Sequence, residues 1–131
     1  EDGALAACVK AKKDGKIGHI GITAHSIEVF ERALENPVFE TIMFPYNIVE
    51  SQGAALIDKC REKNVGFIAM KPLAGGAIED AEAAVRYICA NSAVSIVIPG
   101  MYNTDEARQN IAADKPRRGE KICRDTVNAY R

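Results

Sequence analysis

The chain has 131 residues and a formal net charge of −1, from 17 Lys and Arg residues against 18 Asp and Glu residues. This length suits one domain with a buried core, and the near-neutral charge argues against nucleic acid as a partner. No apolar run approaches the roughly 18 residues of a membrane helix, and no signal peptide is expected. The composition therefore predicts a cytoplasmic protein without a membrane partner.

Four short apolar segments alternate with amphipathic helices, which predicts βα units and a parallel sheet. The predicted strands are residues 19–23, 41–46, 65–71 and 94–98. A complete eight-unit barrel needs about 250 residues. The alternation therefore favours an α/β fold that forms half of such a barrel over a small open α/β domain.

The predicted helices carry apolar residues at helical spacing and begin or end at capping residues. They are expected at residues 2–14, 26–36, 53–64, 81–88, 103–112 and 119–130. Ser26 and Asn103 (or Thr104) are the predicted N-caps, whereas Gly15 and Asn64 are expected to end their helices in the left-handed conformation.

The four cysteines all fall in predicted helices and form no CxxC pair. They are Cys8, Cys60, Cys89 and Cys123. We interpret them as buried thiols rather than disulfides or metal ligands, which agrees with a reducing compartment.

Ligands of parallel α/β folds bind at the carboxyl ends of the strands. The rule selects four segments, residues 23–26, 44–47, 70–76 and 99–103. Glycines in the last two could let backbone N–H groups approach a phosphate, although they could equally be ordinary turn residues.

Charged and polar side chains at these ends leave several interpretations open. Lys71 could pair with a phosphate, form a Schiff base with a carbonyl substrate, or extend into solvent, and Pro72 is expected to keep it extended. His25, Tyr46 and Asn47 could each contact a ligand or only order a loop. No metal-ligand spacing, GxSxG, Walker lysine or GxGxxG is present. No catalytic set can be assembled from these residues.

Four segments resemble the aldo/keto reductase family, in the family's order. They are KKDGKIGHIGIT at residues 12–23, FPYN at 44–47, AMKPLAGG at 69–76 and IPGM at 98–101. The chain is most similar to the branch that carries a C-terminal ferredoxin-like cysteine cluster. An iron–sulfur cluster is therefore expected only in a longer natural chain.

The resemblance implies an NAD(P)H-dependent oxidoreductase that reduces the carbonyl groups of aldehydes and ketones. It implies a TIM-type (β/α)8 barrel, with residues 1–131 forming one partial domain that holds strands five to eight. The family's catalytic residues lie on earlier strands, so no residue here inherits a catalytic role and the chain is expected to be inactive alone.

The resemblance also implies contacts to the cofactor, NADP(H) or NAD(H). The implied residues are Thr23, Met70, Lys71, Leu73, Gly75, Gly100, Met101, Arg108, Gln109 and Asn110. Glu106 stands where the family often has an arginine that helps to select NADP(H), so the preference between the two cofactors stays open.

Two other function classes compete with a reductase fragment. One is a lyase or aldolase half-barrel with Lys71 as its Schiff base, and the other is a non-catalytic binding or assembly module. Four βα units cannot close a barrel, so two sheet edges stay open. We therefore expect a homo-oligomer.

Overall fold

A computed structural model of the chain describes residues 3–114. Its sheet has four parallel strands in the order β1-β2-β3-β4. The elements are, in chain order, α1 (Ala4–Lys13), β1 (Gly21–Thr23), α2 (Ile27–Leu34), β2 (Thr41–Pro45), α3 (Ala54–Glu62), β3 (Gly66–Met70), a 3₁₀ turn (Ala74–Gly76), α4 (Ala81–Cys89), β4 (Val94–Ile98) and α5 (Thr104–Asp114). Each neighbouring pair of strands is joined through a helix, as the alternation of apolar segments predicts.

The core lies between the sheet and its helices. Alternate residues of the central strands point toward this side, because side chains of a strand alternate between its two faces. The largest fully buried side chains include Phe30 from α2, Phe44 from β2, Phe67 from β3, Leu56 from α3 and Ile88 from α4. Phe30 and Phe44 meet edge to face, with ring centroids 5.1 Å apart. Burial of these aromatic and aliphatic side chains holds the layers together.

Several local predictions are confirmed. Leu56, Ile57 and Cys60 are the buried residues of α3, at the spacing of one helix face. Asn64 follows that helix with φ of 57°, and Gly15 follows α1 with φ of 72°. Both helices therefore end in the left-handed conformation that asparagine and glycine adopt at low cost.

Other local predictions are wrong or only partly correct. The first strand begins at Gly21 rather than at residue 19. Ser26 is the N-cap residue of α2, as predicted, but its side chain makes no capping hydrogen bond. The helical spacing also predicts that Val29 faces inward with Phe30, but Val29 is 39% exposed and lies beside the open β1 edge. Cys89 is exposed and Cys8 only half-buried, so of the three cysteines in residues 3–114 only Cys60 is a buried thiol. Cys123 and the helix predicted at 119–130 lie outside the described residues.

The close contact between β1 and β2 requires a glycine. A Cβ added to Gly21 would lie 2.1 Å from Oγ1 of Thr41 and 3.2 Å from the Thr41 carbonyl oxygen. These two residues are direct register partners in the sheet. The absence of a side chain at Gly21 therefore lets the short edge strand pair with β2.

Apolar surface remains exposed at both edges of the sheet. At the β1 edge, a groove of about 340 Å³ is lined by residues that include Ile22, Val29 and Phe39. At the β4 edge, Ile96 is 51% exposed and Ile98 is 39% exposed. Unpaired strands with apolar side chains are surfaces on which another polypeptide can pack.

Candidate functional site

Asn47 joins two loops at the carboxyl ends of the strands. Its side chain is fully buried. Its Nδ2 atom donates to the Lys71 carbonyl oxygen at 2.9 Å and to Oε2 of Glu50 at 2.8 Å. Its Oδ1 atom accepts from the N–H groups of Val49 and Glu50 at 2.9 and 2.7 Å. The amide therefore orders the loops, which is one of the two roles that the sequence left open.

Tyr46 is a core residue. Its backbone N–H donates to the Met70 carbonyl oxygen at 3.2 Å. The ring stacks on Tyr87 with centroids 6.0 Å apart and meets Phe67 edge to face at 6.3 Å. Burial, together with the neighbouring Tyr87 hydroxyl, raises the pKa of Tyr46 to about 12. The ring thus packs in the core, and the phenol keeps its proton at neutral pH.

Lys71 is exposed and turns the chain sharply after β3. Its φ of 54° places it in the left-handed region, so the extended conformation expected from Pro72 is wrong. Its carbonyl oxygen accepts from Asn47 and also from the Ala74 N–H at 2.9 Å. These two hydrogen bonds offset the cost of the left-handed conformation. The side chain lies at the surface rather than in a desolvated pocket.

The loop after β3 then forms a tight turn of unusual conformation. Ala74, Gly75 and Gly76 have φ values of 48°, 71° and 101°. The N–H groups of Ala74 and Gly76 already donate to the carbonyl oxygens of Lys71 and Leu73. Leu73 itself packs on a small apolar cluster that includes Ile48. The packing of Leu73 therefore anchors the turn to the apolar cluster, and the backbone at Gly75 is exposed.

A groove lies between β4, α4 and α5, and we call it the β4–α5 groove. Its volume is about 550 Å³, and its lining includes Val85, Val97, Met101, Asn110 and Ile111. The Asn110 side chain is buried, and its Oδ1 atom accepts no hydrogen bond from the residues described. A buried carbonyl oxygen without a partner is costly, so a donor is expected to occupy this position. A ligand with an N–H group would supply one.

The first turn of α5 is closed by its own side chains. Oδ1 of Asn103 accepts from the N–H groups of Asp105 and Glu106 at 3.0 and 2.9 Å. The carboxylate of Glu106 accepts from the Tyr102 N–H at 2.7 Å and from Nδ2 of Asn103 at 2.9 Å. This is a reciprocal cap between residues three apart. Asn103 is thus the N-cap. The capping role of Glu106 was not predicted from the sequence, although a glutamate three residues after an N-cap is the pattern that indicates it.

The remaining predicted contact residues lie in the loop after β4 and in α5. Arg108 is exposed, and its Nη1 atom donates to Oδ1 of Asp105 at 2.7 Å. Gln109 and Gly100 are also exposed. Met101 lines the β4–α5 groove together with Asn110, so the structure brings these two predicted residues together.

Thr23 and Met70 end two strands that are separated by β2. Thr23 is exposed and pairs in register with Met43, whereas Met70 is 9% exposed and pairs with Pro45 and Ile98. The two residues therefore lie at the carboxyl ends of strands that are not neighbours in the sheet.

The opposite end of the sheet is held by an ionic cluster. The Glu40 carboxylate accepts from the Lys12 ammonium and contacts Nδ1 of His19. These hydrogen bonds lower the pKa of Glu40. The cluster ties α1 to the sheet at the end where barrels place residues that stabilise the fold.

Residues 3–114 contain neither a metal-binding cluster nor a membrane-spanning helix. No group of three or more His, Cys, Asp or Glu side chains in this range is placed to hold a metal ion. No helix in the same range is long and apolar enough to cross a lipid bilayer.

The residues fit a nicotinamide dinucleotide in part. Asn110 offers a buried acceptor inside an apolar groove, which suits the exocyclic amine and flat faces of adenine. The exposed backbone at Gly75 allows close approach of a pyrophosphate. The fit to the additional phosphate of NADP(H) is poorer, because the guanidinium of Arg108 already forms a hydrogen bond with Asp105.

The sheet defines a class of protein, a parallel βα segment, and proteins of this class bind their ligands at the carboxyl ends of the strands. A family model described as the aldo/keto reductase family matches residues 2–83, which is more than half of the chain. The chain therefore belongs to the aldo/keto reductase family.

Solved structures place the four strands in the family's barrel. The holo form of an aldo-keto reductase from Bacillus halodurans superposes with a TM-score of 0.81 at 19% identity, covering 98% of this chain and 55% of that chain. An aldo-keto reductase from a Medee basin deep-sea metagenome library gives 0.75 at 17% identity, with 95% and 53% covered. The fold is thus part of a TIM-type barrel, and the chain spans about half the length of these proteins.

A curated relative agrees with this placement. An uncharacterized oxidoreductase of Schizosaccharomyces pombe is 23% identical over 118 residues, which covers 78% of this chain and 39% of the relative. The similarity to this relative thus extends over most of the chain but over less than half of the relative.

Proposed function

We propose that this chain forms the dinucleotide-binding half of an NAD(P)H-dependent aldo/keto reductase that reduces aldehydes and ketones. The observation that carries the proposal is the buried Oδ1 atom of Asn110 in the β4–α5 groove, which accepts no hydrogen bond from any of residues 3–114. In a member of this family, an apolar groove with one buried acceptor is best explained by the adenine end of the cofactor.

The proposed roles follow the position of each residue. Asn110 accepts a hydrogen bond from the adenine amine, while Met101 packs against the base. Leu73 holds the turn whose backbone at Gly75 faces the pyrophosphate, and Thr23 and Met70 border the nicotinamide end. The bound dinucleotide supplies the hydride. The proton-transfer residues and the substrate site belong to the half of the barrel that this chain does not contain, so we propose no turnover by the chain alone.

Titration of the 131-residue chain with NADH and NADPH tests cofactor binding. The chain has no tryptophan, so the fluorescence of the reduced nicotinamide can be followed without interference from indole. Saturable binding is expected. Asn110→Leu fills the groove and removes the acceptor, and we expect it to weaken binding about tenfold. Gln52→Leu, which changes an exposed amide in another loop, is the matched control. Absence of binding would contradict the proposal, as would an equal effect of the two substitutions.

Turnover is tested separately with NADPH or NADH and a panel of small aldehydes. We expect none, because the chain holds no assigned catalytic residue. Turnover above the buffer rate would overturn the inactive-fragment proposal. The Schiff-base alternative predicts borohydride trapping of an aldehyde that Lys71→Met abolishes. The exposed position of Lys71 does not favour it, because such lysines are activated by a desolvated pocket.

Partners and location are further proposals. The open β1 edge carries an apolar groove lined by Ile22 and Val29, and Ile98 is exposed on β4, so we propose that these edges pack against barrel strands of another polypeptide, a second copy when no complementary half is present. Cytoplasmic location is proposed from the cysteines, since Cys8 and Cys60 form no disulfide. An iron–sulfur segment stays a prediction about a longer chain.

A further inference from the structure

We infer that Cys89 is a redox modification site in the β4–α5 groove, where a thiol–disulfide exchange with a small peptide disulfide attaches a peptide that excludes the dinucleotide. The inference rests on the proposed function and adds how that site is regulated. Cys89 is the last residue of α4, and it lines the groove together with Val85, one turn earlier on the same helix. Cys89 is also exposed, so a reagent can reach it from solvent.

Its place in the groove separates Cys89 from the other two cysteines of residues 3–114. Cys60 is fully buried, and burial raises the pKa of its thiol to about 11. Cys8 is half-buried on α1, outside the β4–α5 groove. Disulfide exchange requires an accessible thiolate. Within this range Cys89 therefore combines access with a surface on which the incoming molecule can bind.

The groove has the size and the lining of a small-molecule site. Its volume of about 550 Å³ lies within the roughly 300–1,000 Å³ of such sites. Val97, Met101 and Ile111 give it apolar walls, and Asn110 lines it with a side chain that is 9% exposed. The Asn110 Oδ1 atom accepts no hydrogen bond from residues 3–114. A peptide supplies amide N–H donors for this oxygen, so a peptide disulfide fits the groove better than a disulfide without donors.

The exchange at Cys89 balances without a further reagent. The Cys89 thiol loses its proton, and its thiolate sulfur attacks one sulfur of the peptide disulfide. A new S–S bond forms to Cys89 while the original S–S bond breaks. The released half leaves as a thiolate and takes up a proton, so Cys89 is oxidised and the leaving thiol is reduced. Attack by a second thiol reverses the exchange by the same route.

The attached peptide and the dinucleotide compete for one space. Both use the acceptor at Asn110 and the apolar wall around Met101, so we expect the groove to hold one of them at a time. The tether to Cys89 gives the peptide a high effective concentration in the groove, and weak contacts are then enough to keep it there. Oxidation therefore prevents cofactor binding, and reduction restores it.

Treatment of the reduced 131-residue chain with glutathione disulfide tests the modification site, with adducts assigned by mass spectrometry of the digested protein. We expect Cys89 to react about tenfold faster than Cys8, because the groove and one hydrogen bond favour it. Methyl methanethiosulfonate carries no N–H group and should give a smaller ratio of the two rates. Asn110→Leu should lower the ratio for glutathione disulfide only, whereas Gln52→Leu, the exposed control amide, should not change it.

Two results would overturn the site. One is an adduct that forms at Cys8 as fast as at Cys89. The other is a rate ratio that neither the change of reagent nor Asn110→Leu lowers. The comparison of reagents uses the unsubstituted chain, so it decides the question even if Asn110→Leu does not fold.

NADH titration of the modified chain tests the regulation. We expect the chain with glutathione on Cys89 to lose saturable NADH binding and dithiothreitol to restore it. The treatment should not change the NADH affinity of Cys89→Ser, whereas Cys8→Ser, the matched control, should still lose binding. Unchanged NADH affinity of the modified chain overturns the regulation. A chain that binds no NADH before treatment contradicts the proposed function and the regulation with it, while the rates at Cys89 and Cys8 still decide the modification site.

Discussion

The Nδ2 atom of Asn47 donates to the carbonyl oxygen of Lys71 at 2.9 Å, across 24 residues of sequence. This hydrogen bond links the loop after β2 to the loop after β3, at the edge where the proposed cofactor site lies. It also helps to hold Lys71 in the left-handed conformation that starts the turn toward Gly75. The buried Asn47 side chain thus shapes the loop that we propose contacts the pyrophosphate.

Asn47→Ala is expected to destabilise the chain by about 2–4 kcal/mol. The substitution leaves the Lys71 carbonyl oxygen and the N–H groups of Val49 and Glu50 without their buried partner. Urea denaturation followed by circular dichroism measures the loss. Asn36→Ala removes a single local hydrogen bond to the Val38 N–H and should cost about 1 kcal/mol or less. Similar losses in the two variants would show that Asn47 does not link the loops.

Stability should fall with pH in the window where Tyr46 differs between the folded and unfolded states. The pKa of Tyr46 is raised from 10.0 to about 12 by burial and by Tyr87. Between these values the unfolded chain has lost the proton that the folded chain keeps, so the free energy of unfolding decreases as the pH rises. Denaturation at a series of pH values should show a shallower decrease for Tyr46→Phe. Tyr102→Phe changes a 99% exposed ring and should follow the unsubstituted chain. An unchanged slope in Tyr46→Phe would contradict the assignment.

The cysteines should differ in their reactivity toward alkylating reagents. Burial raises the pKa of the Cys60 thiol to about 11, whereas Cys89 is exposed. Because the thiolate is the reactive form, Cys60 should be alkylated by iodoacetamide far more slowly than Cys89 at neutral pH. Mass spectrometry of the digested protein gives both rates. In denaturant the two rates should become similar, and similar rates in the folded chain would show that Cys60 is accessible.

Gly21→Ala is expected to destabilise the sheet by about 1–3 kcal/mol, since overpacking forces the neighbouring atoms apart. The added Cβ would lie 2.1 Å from Oγ1 of Thr41. Thr41→Ala in the same chain removes that atom and should recover part of the loss, which a double-mutant cycle measures. Gly18→Ala adds a Cβ with no atom within 4 Å and should be nearly neutral. Strict additivity of the Gly21 and Thr41 effects would argue against the contact.

Sedimentation at micromolar concentration should show a dimer or a larger assembly. Ile96 is 51% exposed on the edge strand β4, where a charge opposes strand pairing. Ile96→Lys should therefore shift the chain toward monomer. Val49→Lys changes a side chain that is 50% exposed in the loop after β2 and should leave the assembly intact. A monodisperse monomer of the unsubstituted chain would contradict self-association.

Local patterns in the sequence determined the order and type of the elements. Apolar segments alternating with amphipathic helices predict the parallel sheet, because burial on both faces selects continuous apolar strands. The stripe through Leu56, Ile57 and Cys60 and the left-handed Asn64 are likewise local properties, and the structure agrees with them. Membership of the aldo/keto reductase family also follows from short ordered motifs.

Only the tertiary structure decided what those elements bury and join. Val29 and Cys89 lie on helices with strong apolar stripes, yet both are exposed because the sheet edges beside them are open. Asn47 reaches Lys71 because parallel strands bring their carboxyl ends together, a contact that no local pattern contains. The Asn110 side chain is buried where α5 packs against α4, and its Oδ1 atom accepts no hydrogen bond within the described part of the chain. Burial depends on neighbours that are distant in sequence, so the candidate site became visible only in the fold.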